Sequence, residues 1–221
     1  MPDDKLTSLQ KQLLRALAGL DPAWTLTGGA ALALVHTRHR GTRDLDLFWR
    51  GRNQLGEVTG LVRDRIAGEG LAMETLQTAP AFVRLRVSDG CEVVVVDLVA
   101  DPTPSVEDPV EFDWEGVRIR VDSARELVAN KLCALLSRSE LRDLVDLRAL
   151  LDAGRDLRQG LADAPRKDSG SSPLVLAWVL HELPLRALAS AEGWPAARVE
   201  DLVEFRDRLV ATLTEEARPE G

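Results

Sequence analysis

Tyrosine is absent from these 221 residues, and four phenylalanines with five tryptophans are the only aromatics. With hydrophobic residues at 45%, a sizeable core is still available, and global disorder is excluded. That core must be built from Leu, Val and Ala. Cysteine is nearly missing too: Cys91 and Cys133 are isolated thiols, which excludes a disulfide framework or a zinc ribbon. Positive charge is in deficit, with a net charge of −8, so the chain does not coat nucleic acid through bulk charge. Clustered arginines keep a local basic cleft open. No apolar run approaches the roughly 20 residues of a membrane span. The acidic start Met1-Pro2-Asp3-Asp4 lacks an apolar core segment, so neither a signal peptide nor a membrane partner is expected. A soluble, cytoplasmic protein is the expectation.

What is present divides near residue 122. Leu6, Leu9, Leu13, Leu14 and Leu17 recur at helical spacing up to Gly19, predicting a helix over 6–18. A short strand around Trp24 to Leu26, Gly28-Gly29, a buried helix from Ala30 to Val35, a strand over 44–49 and a helix over 53–68 follow. Strands are expected at 71–78, 81–88 and 91–99, the last two joined at Asp89-Gly90, then a strand pair within 112–121 turning at Glu115-Gly116. From Ser123 onward the pattern is helical: 123–137, 140–152, 173–190 and 196–217, with a flexible loop at 167–172. The expected class is α+β: a mixed β-sheet with flanking helices over 1–122, then a helical C-terminal domain over 123–221.

Chemistry concentrates at a few positions. Thr27-Gly28-Gly29-Ala30 runs from strand into helix; paired glycines let backbone amides approach a ligand, and a helix N-terminus favours phosphate. The plain alternative is ordinary turn chemistry. In Arg43-Asp44-Leu45-Asp46-Leu47-Phe48, strand alternation projects Asp44 and Asp46 to one side. Two such carboxylates either hold Mg²⁺ together with substrate phosphates or face water from an exposed strand. Asp97 interrupts Val93-Val94-Val95-Val96-Asp97-Leu98-Val99, a strand apolar on both faces and so expected to be buried on both. A carboxylate there needs a cation or strong donors; the choice is between a third acid completing a two-metal cluster with Asp44 and Asp46 and a structural aspartate bonded to a loop or an arginine. Lys131 falls within an apolar helical stripe of Leu127, Val128, Leu132 and Leu135. It either snorkels outward or meets negative charge inside, and a phosphate contact is expected. Asp143 and Asp146, three apart on a helix, form a salt-bridged face with Arg142, orient Lys131 or bind the acceptor. His36 and His39 are expected as solvent-facing or substrate-side contacts, and Trp178 and Trp194 as packing residues.

The set Gly28-Gly29, Asp44-x-Asp46 and a third strand aspartate resembles the polymerase-β-like nucleotidyltransferase superfamily. Thr27 through Leu34, Arg43 through Phe48, Lys131 and Arg142-Asp143-x-x-Asp146-Leu147 narrow the resemblance to the AbiEii/AbiGii toxin family over about residues 20–152. The resemblance implies a nucleotidyltransferase domain and a helical domain with the active site between them. It implies the toxin of an abortive-infection type toxin–antitoxin pair, with a cognate antitoxin as partner. It implies transfer of a nucleoside monophosphate from a nucleoside triphosphate to an acceptor hydroxyl, in some members at the 3′ end of tRNA. By motif, Gly28, Gly29, Thr42, Arg43 and Lys131 would contact the nucleotide, and Asp44 and Asp46, with Asp97, would bind Mg²⁺. Asp143 would be the distal catalytic acid. Thr42 stands where many relatives have serine, and its hydroxyl serves the same role. Rival expectations are a small-molecule or protein acceptor, and a non-catalytic nucleotide-binding module.

Overall fold

A computed structural model describes residues 5–138 and 140–218. The chain divides into two compact units, with the boundary between Ser123 and Ala124. Among the described residues the first unit carries a seven-stranded mixed sheet and the second only helices.

In the first unit, α1 (Ser8–Leu17) begins with a reciprocal cap: Thr7 Oγ1 accepts from the Gln10 amide at 3.3 Å, and the Thr7 amide donates to Gln10 Oε1 at 2.9 Å. β1 (Thr25–Thr27) runs directly into α2 (Gly28–Ala31), which continues as a π-helical turn over Leu32–His36. β2 (Asp44–Arg50), α3 (Val58–Gly68), β3 (Ala72–Ala79), β4 (Phe82–Ser88), β5 (Val93–Asp101), β6 (Val110–Trp114) and β7 (Val117–Val121) follow. The strand order is β3-β4-β5-β2-β1-β7-β6. β2 pairs with β5 in parallel and β1 with β7 in parallel; the other neighbours are antiparallel.

Alternation along β2 decides the use of each face. Leu45, Leu47 and Trp49 are fully buried, whereas Asp44, Asp46, Phe48 and Arg50 are half-buried. The apolar side continues as Val94, Val96 and Leu98 of β5 and Val83, Leu85 and Val87 of β4. α1 contacts β5, α3 contacts β3, and the two helices contact each other. Their leucine, valine and isoleucine stripes supply the other half of this core. β5 was expected to be buried on both faces. Its second face is instead only half-covered, with Val93 exposed and Val95 and Val99 intermediate.

The second unit consists of α4 (Ala124–Ser137), α5 (Leu141–Asp152), α6 (Leu157–Asp163) with a 3₁₀ turn over Ala164–Arg166, α7 (Pro173–Glu182), α8 (Leu185–Ala191) and α9 (Ala196–Glu216). α6 has little sequence signature, since Leu157 and Leu161 are its only large apolar residues. Its N-terminus is set by Asp156, whose carboxylate accepts from the amides of Arg158 (2.8 Å) and Gln159 (3.2 Å). The single helix expected over 173–190 is two helices, because Pro184 supplies no amide donor. Likewise α3 starts at Val58 rather than 53, after Gly51 and Gly56 at positive φ. Trp178, expected to pack, is 64% exposed. Among the described residues no single helix is long and apolar enough to cross a membrane; α7 and α8 together match in length and composition but are bent by 54°.

Two helical glycines give a stability test of this packing. A Cβ at Gly160 of α6 would fall 2.4 Å from Cγ1 of Val128, itself buried in α4, whereas a Cβ at Gly60 of α3 would meet nothing within 4 Å. Gly160→Ala is expected to lower stability by about 1–3 kcal/mol through overpacking. Gly60→Ala is expected to raise it by about 0.5–1 kcal/mol through helix propensity. Thermal melting of the two variants checks both signs.

Candidate functional site

The register of the sheet, rather than any loop, assembles the charged face. Thr27 of β1 pairs with Asp46 of β2, Asp46 with Asp97 of β5, Asp97 with Arg84 of β4, and Arg84 with Gln77 of β3. Paired residues on neighbouring strands present their side chains to the same face, at about 4.8 Å per strand. One row therefore reads Thr27, Asp46, Asp97, Arg84 and Gln77 across five strands. Asp44, two residues before Asp46, shares that face.

Gly28 lies hard against this row. Its φ is +63°, and a Cβ there would sit 2.2 Å from Oδ2 of Asp46. Only glycine satisfies both the left-handed backbone and the close approach of the carboxylate. A Cβ at Gly29 would meet Thr42 Oγ1 at 3.0 Å and a guanidinium nitrogen of Arg40 at 3.3 Å. The paired glycines thus open a backbone N-terminus beside Asp46, Thr42 and Arg40. Thr42 Oγ1 accepts from the amide of Asp44 at 3.3 Å, and the Thr42 carbonyl accepts from Gln10 Nε2 at 3.1 Å, which ties the approach to β2 onto α1. Arg43 is exposed.

Asp97 is 7% exposed, and both its oxygens are bonded to one arginine: Arg84 Nε donates to Oδ1 at 2.8 Å and Nη2 to Oδ2 at 2.7 Å. This bidentate fork is the strongest geometry available to a carboxylate and a guanidinium. Its hydrogen bonds to Asp97 raise the Arg84 pKa against the opposing effect of burial, and the charges of Asp97, Asp44 and Asp46 add to the rise. Arg84 is an arginine partner of the kind foreseen for a structural Asp97. Arg84 itself escaped the sequence reading. A tight turn at Asp89-Gly90 would have paired Ser88 with Cys91; the actual register pairs Ser88 with Val93. The connection spans four residues because Asp89 Oδ1 accepts from the amides of Cys91 (2.8 Å) and Glu92 (2.7 Å). That difference is what brings Arg84 opposite Asp97.

In the second unit, Lys131 is 4% exposed, with Nζ 2.8 Å from Oδ1 of Asp143 and 2.6 Å from Oδ2 of Asp146; both aspartates are fully buried. Arg138 adds two bonds to Asp143, at 2.7 and 2.8 Å. Two cations thus face two anions without leaving a buried charge uncompensated. Burial alone would raise the Asp143 carboxyl, but the hydrogen bonds from Arg138 and the charge and hydrogen bond of Lys131 outweigh it and hold the group below its ordinary 3.8. Of the roles foreseen for Lys131, the structure displays an ammonium drawn inward onto two carboxylates rather than snorkelling. Arg142 Nε donates to Oε2 of Glu140. Arg138 was not foreseen, since its link to Asp143 depends on the turn between α4 and α5. Lys167, placed in a flexible loop by sequence, is paired with fully buried Glu126 at 2.5 Å.

His36 Nε2 lies 2.8 Å from the carbonyl of Asp122, and His39 Nδ1 lies 2.6 Å from Thr37 Oγ1. Burial pushes the Cys133 thiol up to about 11, which keeps it protonated and unreactive. Among the described residues no group of three His, Cys, Asp or Glu side chains converges as a ready-made metal cage.

A glycine pair beside a strand Asp-x-Asp, with a third aspartate in register on the adjacent parallel strand, also matches at the level of the whole sequence. Residues 12–212 fit the family profile described as nucleotidyl transferase AbiEii toxin of Type IV toxin–antitoxin systems. The chain belongs to the AbiEii toxin family. It is accordingly a nucleotidyltransferase. No curated protein matches it in sequence. Solved structures share its fold, two of them from one organism. A Helicobacter pylori protein, JHP933, is 19% identical, with a TM-score of 0.52 over 95% of this chain and 92% of the other. A putative nucleotidyltransferase from the same organism is 18% identical, with a TM-score of 0.50 over 96% of each chain.

Two outcomes test this geometry. Gly28→Ala should lower nucleotide transfer by about 10²-fold or more, as expected when a reacting group is displaced by about 1 Å. Gly19→Ala, which places the same strain at φ +70° with nothing within 4 Å, should lower stability and leave transfer rates intact. Equal activity losses in both variants would contradict the contact with Asp46. For Asp143, a carboxyl held below its unfolded value stabilises fully above about pH 4 and loses that contribution as pH falls through the lower folded value. Asp143→Asn should therefore cost about 3 kcal/mol or more at pH 7 and flatten the loss of stability in acid, read by denaturant unfolding across pH.

Proposed function

We propose that this chain transfers a nucleoside monophosphate from a nucleoside triphosphate to an acceptor hydroxyl, releasing pyrophosphate. Asp44 and Asp46 would hold the divalent ion, Mg²⁺. The observation that carries the reading is the contact of Gly28 with Asp46: a glycine-only backbone turn opens a helix N-terminus directly against a carboxylate of the pair. That places amide donors for phosphate beside oxygen ligands for a hard cation. The donor set fits the ion, being carboxylate oxygens at adjacent same-face positions of a rigid strand. When bound, the ion supplies charge neutralisation on the phosphates and lowers the pKa of the attacking hydroxyl.

The chain's own residues do the rest. Gly28 and Gly29 leave room for phosphate oxygens close to the backbone, and Thr42 holds the start of β2 through the Asp44 amide. Arg40 and Arg43 stabilise charge that develops on the phosphates. Asp97 completes the carboxylate row, with Arg84 as its counter-ion. Asp143 and Asp146 hold Lys131 and, with Arg138, fix its ammonium in place, so Lys131 and Asp143 act as one positioning network.

The acceptor assigned here is tRNA. The chain is acidic overall, yet the segment from His36 to Arg43 carries three arginines, two histidines and no acid before the site. A local basic strip of this kind suits a phosphodiester backbone. A cognate antitoxin is the expected partner, as the Type IV family description implies.

Incubation with labelled triphosphates and separate tRNA, protein and small-molecule pools is the test. Label should enter the tRNA pool, stop on chelation and return with Mg²⁺. Asp46→Asn should lower transfer by about 10³-fold or more. Near-full transfer by that variant would overturn the metal assignment, and label entering only another pool would overturn the acceptor.

A further inference from the structure

The charged row of the sheet has an apolar neighbour on the same face. Phe48 of β2 pairs with Val99 of β5, and Val99 pairs with Phe82 of β4. These three lie two residues along from Asp46, Asp97 and Phe82's neighbour Arg84, so strand alternation turns both rows to one face. Phe48, Val99 and Phe82 are each half-buried, and the paired Arg50 and Asp101 bound them on the far side. We propose that the row Phe48, Val99 and Phe82 is a stacking platform for the terminal base of the acceptor tRNA. The inference rests on the nucleotide-transfer reading above and deepens it to the residues that receive the acceptor.

Chain direction puts this row on the acceptor's side of the chemistry. β1 is antiparallel to β2, with Thr27 beside Asp46 and Thr25 beside Phe48. Gly28 follows Thr27, so the glycine turn continues toward the Asp44 end of β2 and away from Phe48. Along β2 the order is therefore glycine turn, Asp44 and Asp46, then Phe48, with about 6.6 Å of strand between Asp46 and Phe48. In phosphoryl transfer the attacking and leaving oxygens lie roughly in line across the phosphorus. With the pyrophosphate end of the triphosphate on the glycine turn, the attacking hydroxyl arrives from the opposite side, where the row lies.

The row also has the chemistry that a nucleobase needs. Phe48 and Phe82 are two strand spacings apart, about 9.6 Å, with the smaller Val99 between them, so a planar base can lie over Val99 against a phenyl ring. Each ring is steadied by a guanidinium: the Arg50 carbon lies 4.7 Å from the centre of Phe48, and that of Arg84 lies 5.5 Å from the centre of Phe82. Both guanidiniums are themselves anchored, Arg50 on Asp101 and at 2.8 Å on Asp122, Arg84 on both oxygens of Asp97. Aromatic surface flanked by fixed positive charge suits a single-stranded end, stacking the base and attracting the backbone phosphates. Beyond Phe82 the row ends at exposed Ala79 of the edge strand β3. A small residue there leaves the platform open for the nucleotides that precede the terminal one.

Equilibrium binding of labelled tRNA to the full chain, without triphosphate, tests this apart from catalysis. Phe82→Leu keeps apolar bulk but removes the aromatic face, and should weaken tRNA about tenfold. Phe82→Tyr should bind like wild type. A tRNA whose terminal nucleotide lacks its base should bind wild type more weakly by a similar factor and Phe82→Leu no more weakly still, because both changes delete one contact. In steady-state transfer, Phe82→Leu should raise the KM for tRNA and leave that for triphosphate unchanged. Should Phe82→Leu fail to fold, as judged by circular dichroism, Phe48→Leu and the comparison of intact with abasic tRNA on wild type serve instead. Equal affinity of wild type for intact and abasic tRNA would overturn the proposal, as would additive losses in Phe82→Leu with abasic tRNA. A rise in the KM for triphosphate alone would assign the row to the incoming nucleotide and overturn it too. Wild type that neither binds tRNA nor transfers label to it would overturn the acceptor reading itself, and the proposal with it.

Discussion

Like-charge repulsion on one sheet face is the constraint around which the first unit is organised. Parallel pairing of β2 with β5 sets Asp46 beside Asp97, and strand alternation adds Asp44. Such a face is stable only with cations to match it. Arg84 meets Asp97 with its fork, and Asp46 lies against the turn at Gly28, where a Cβ would clash with its carboxylate. The opposite face is correspondingly plain: Leu45, Leu47, Val94, Val96 and Leu98 form a dry layer against α1 and α3. That layer fixes the register, because a one-residue slip would exchange the buried and charged sides along the whole strand.

The second unit solves the same problem by a different route. Asp143 and Asp146 are wholly buried and would be intolerable alone, but Lys131 bonds both, and Arg138 closes over Asp143. Removing Lys131 takes an ion-pair partner from both carboxylates in a leucine-rich interior. This explains why a lysine stands in the apolar stripe of α4, where leucine or alanine would pack as well. Charge there specifies one arrangement of α4 on α5 rather than adding greatly to stability.

Residues whose placement depends on local periodicity were legible in the sequence. Asp44 and Asp46 follow from alternation, Gly28-Gly29 from turn chemistry, and the inward direction of Lys131 from its place in a helical stripe. The class of fold and the resemblance to the AbiEii toxins were legible from the same positions. Residues that act through register or helix packing were not. Arg84 reaches Asp97 only because Asp89 and Ser88 cap a four-residue connection in place of a two-residue turn. Arg138 reaches Asp143 across a change of helix. α6 was missed because a short helix with two leucines has almost no amphipathic signal and is defined by its aspartate cap and by the fit of Gly160 onto Val128. Trp178 was assigned to packing by residue type, yet it faces solvent.

In the proposed site the catalytic ion sits on Asp44 and Asp46 against the glycine turn. Paramagnetic broadening of backbone amide resonances by substoichiometric Mn²⁺ locates the ion directly in the full chain. The account predicts that broadening centres on Gly28, Gly29 and Asp44 to Asp46 and reaches Asp97 more weakly. Broadening centred instead on an acidic edge such as Glu111 and Asp113, with the glycine turn unaffected, would contradict it.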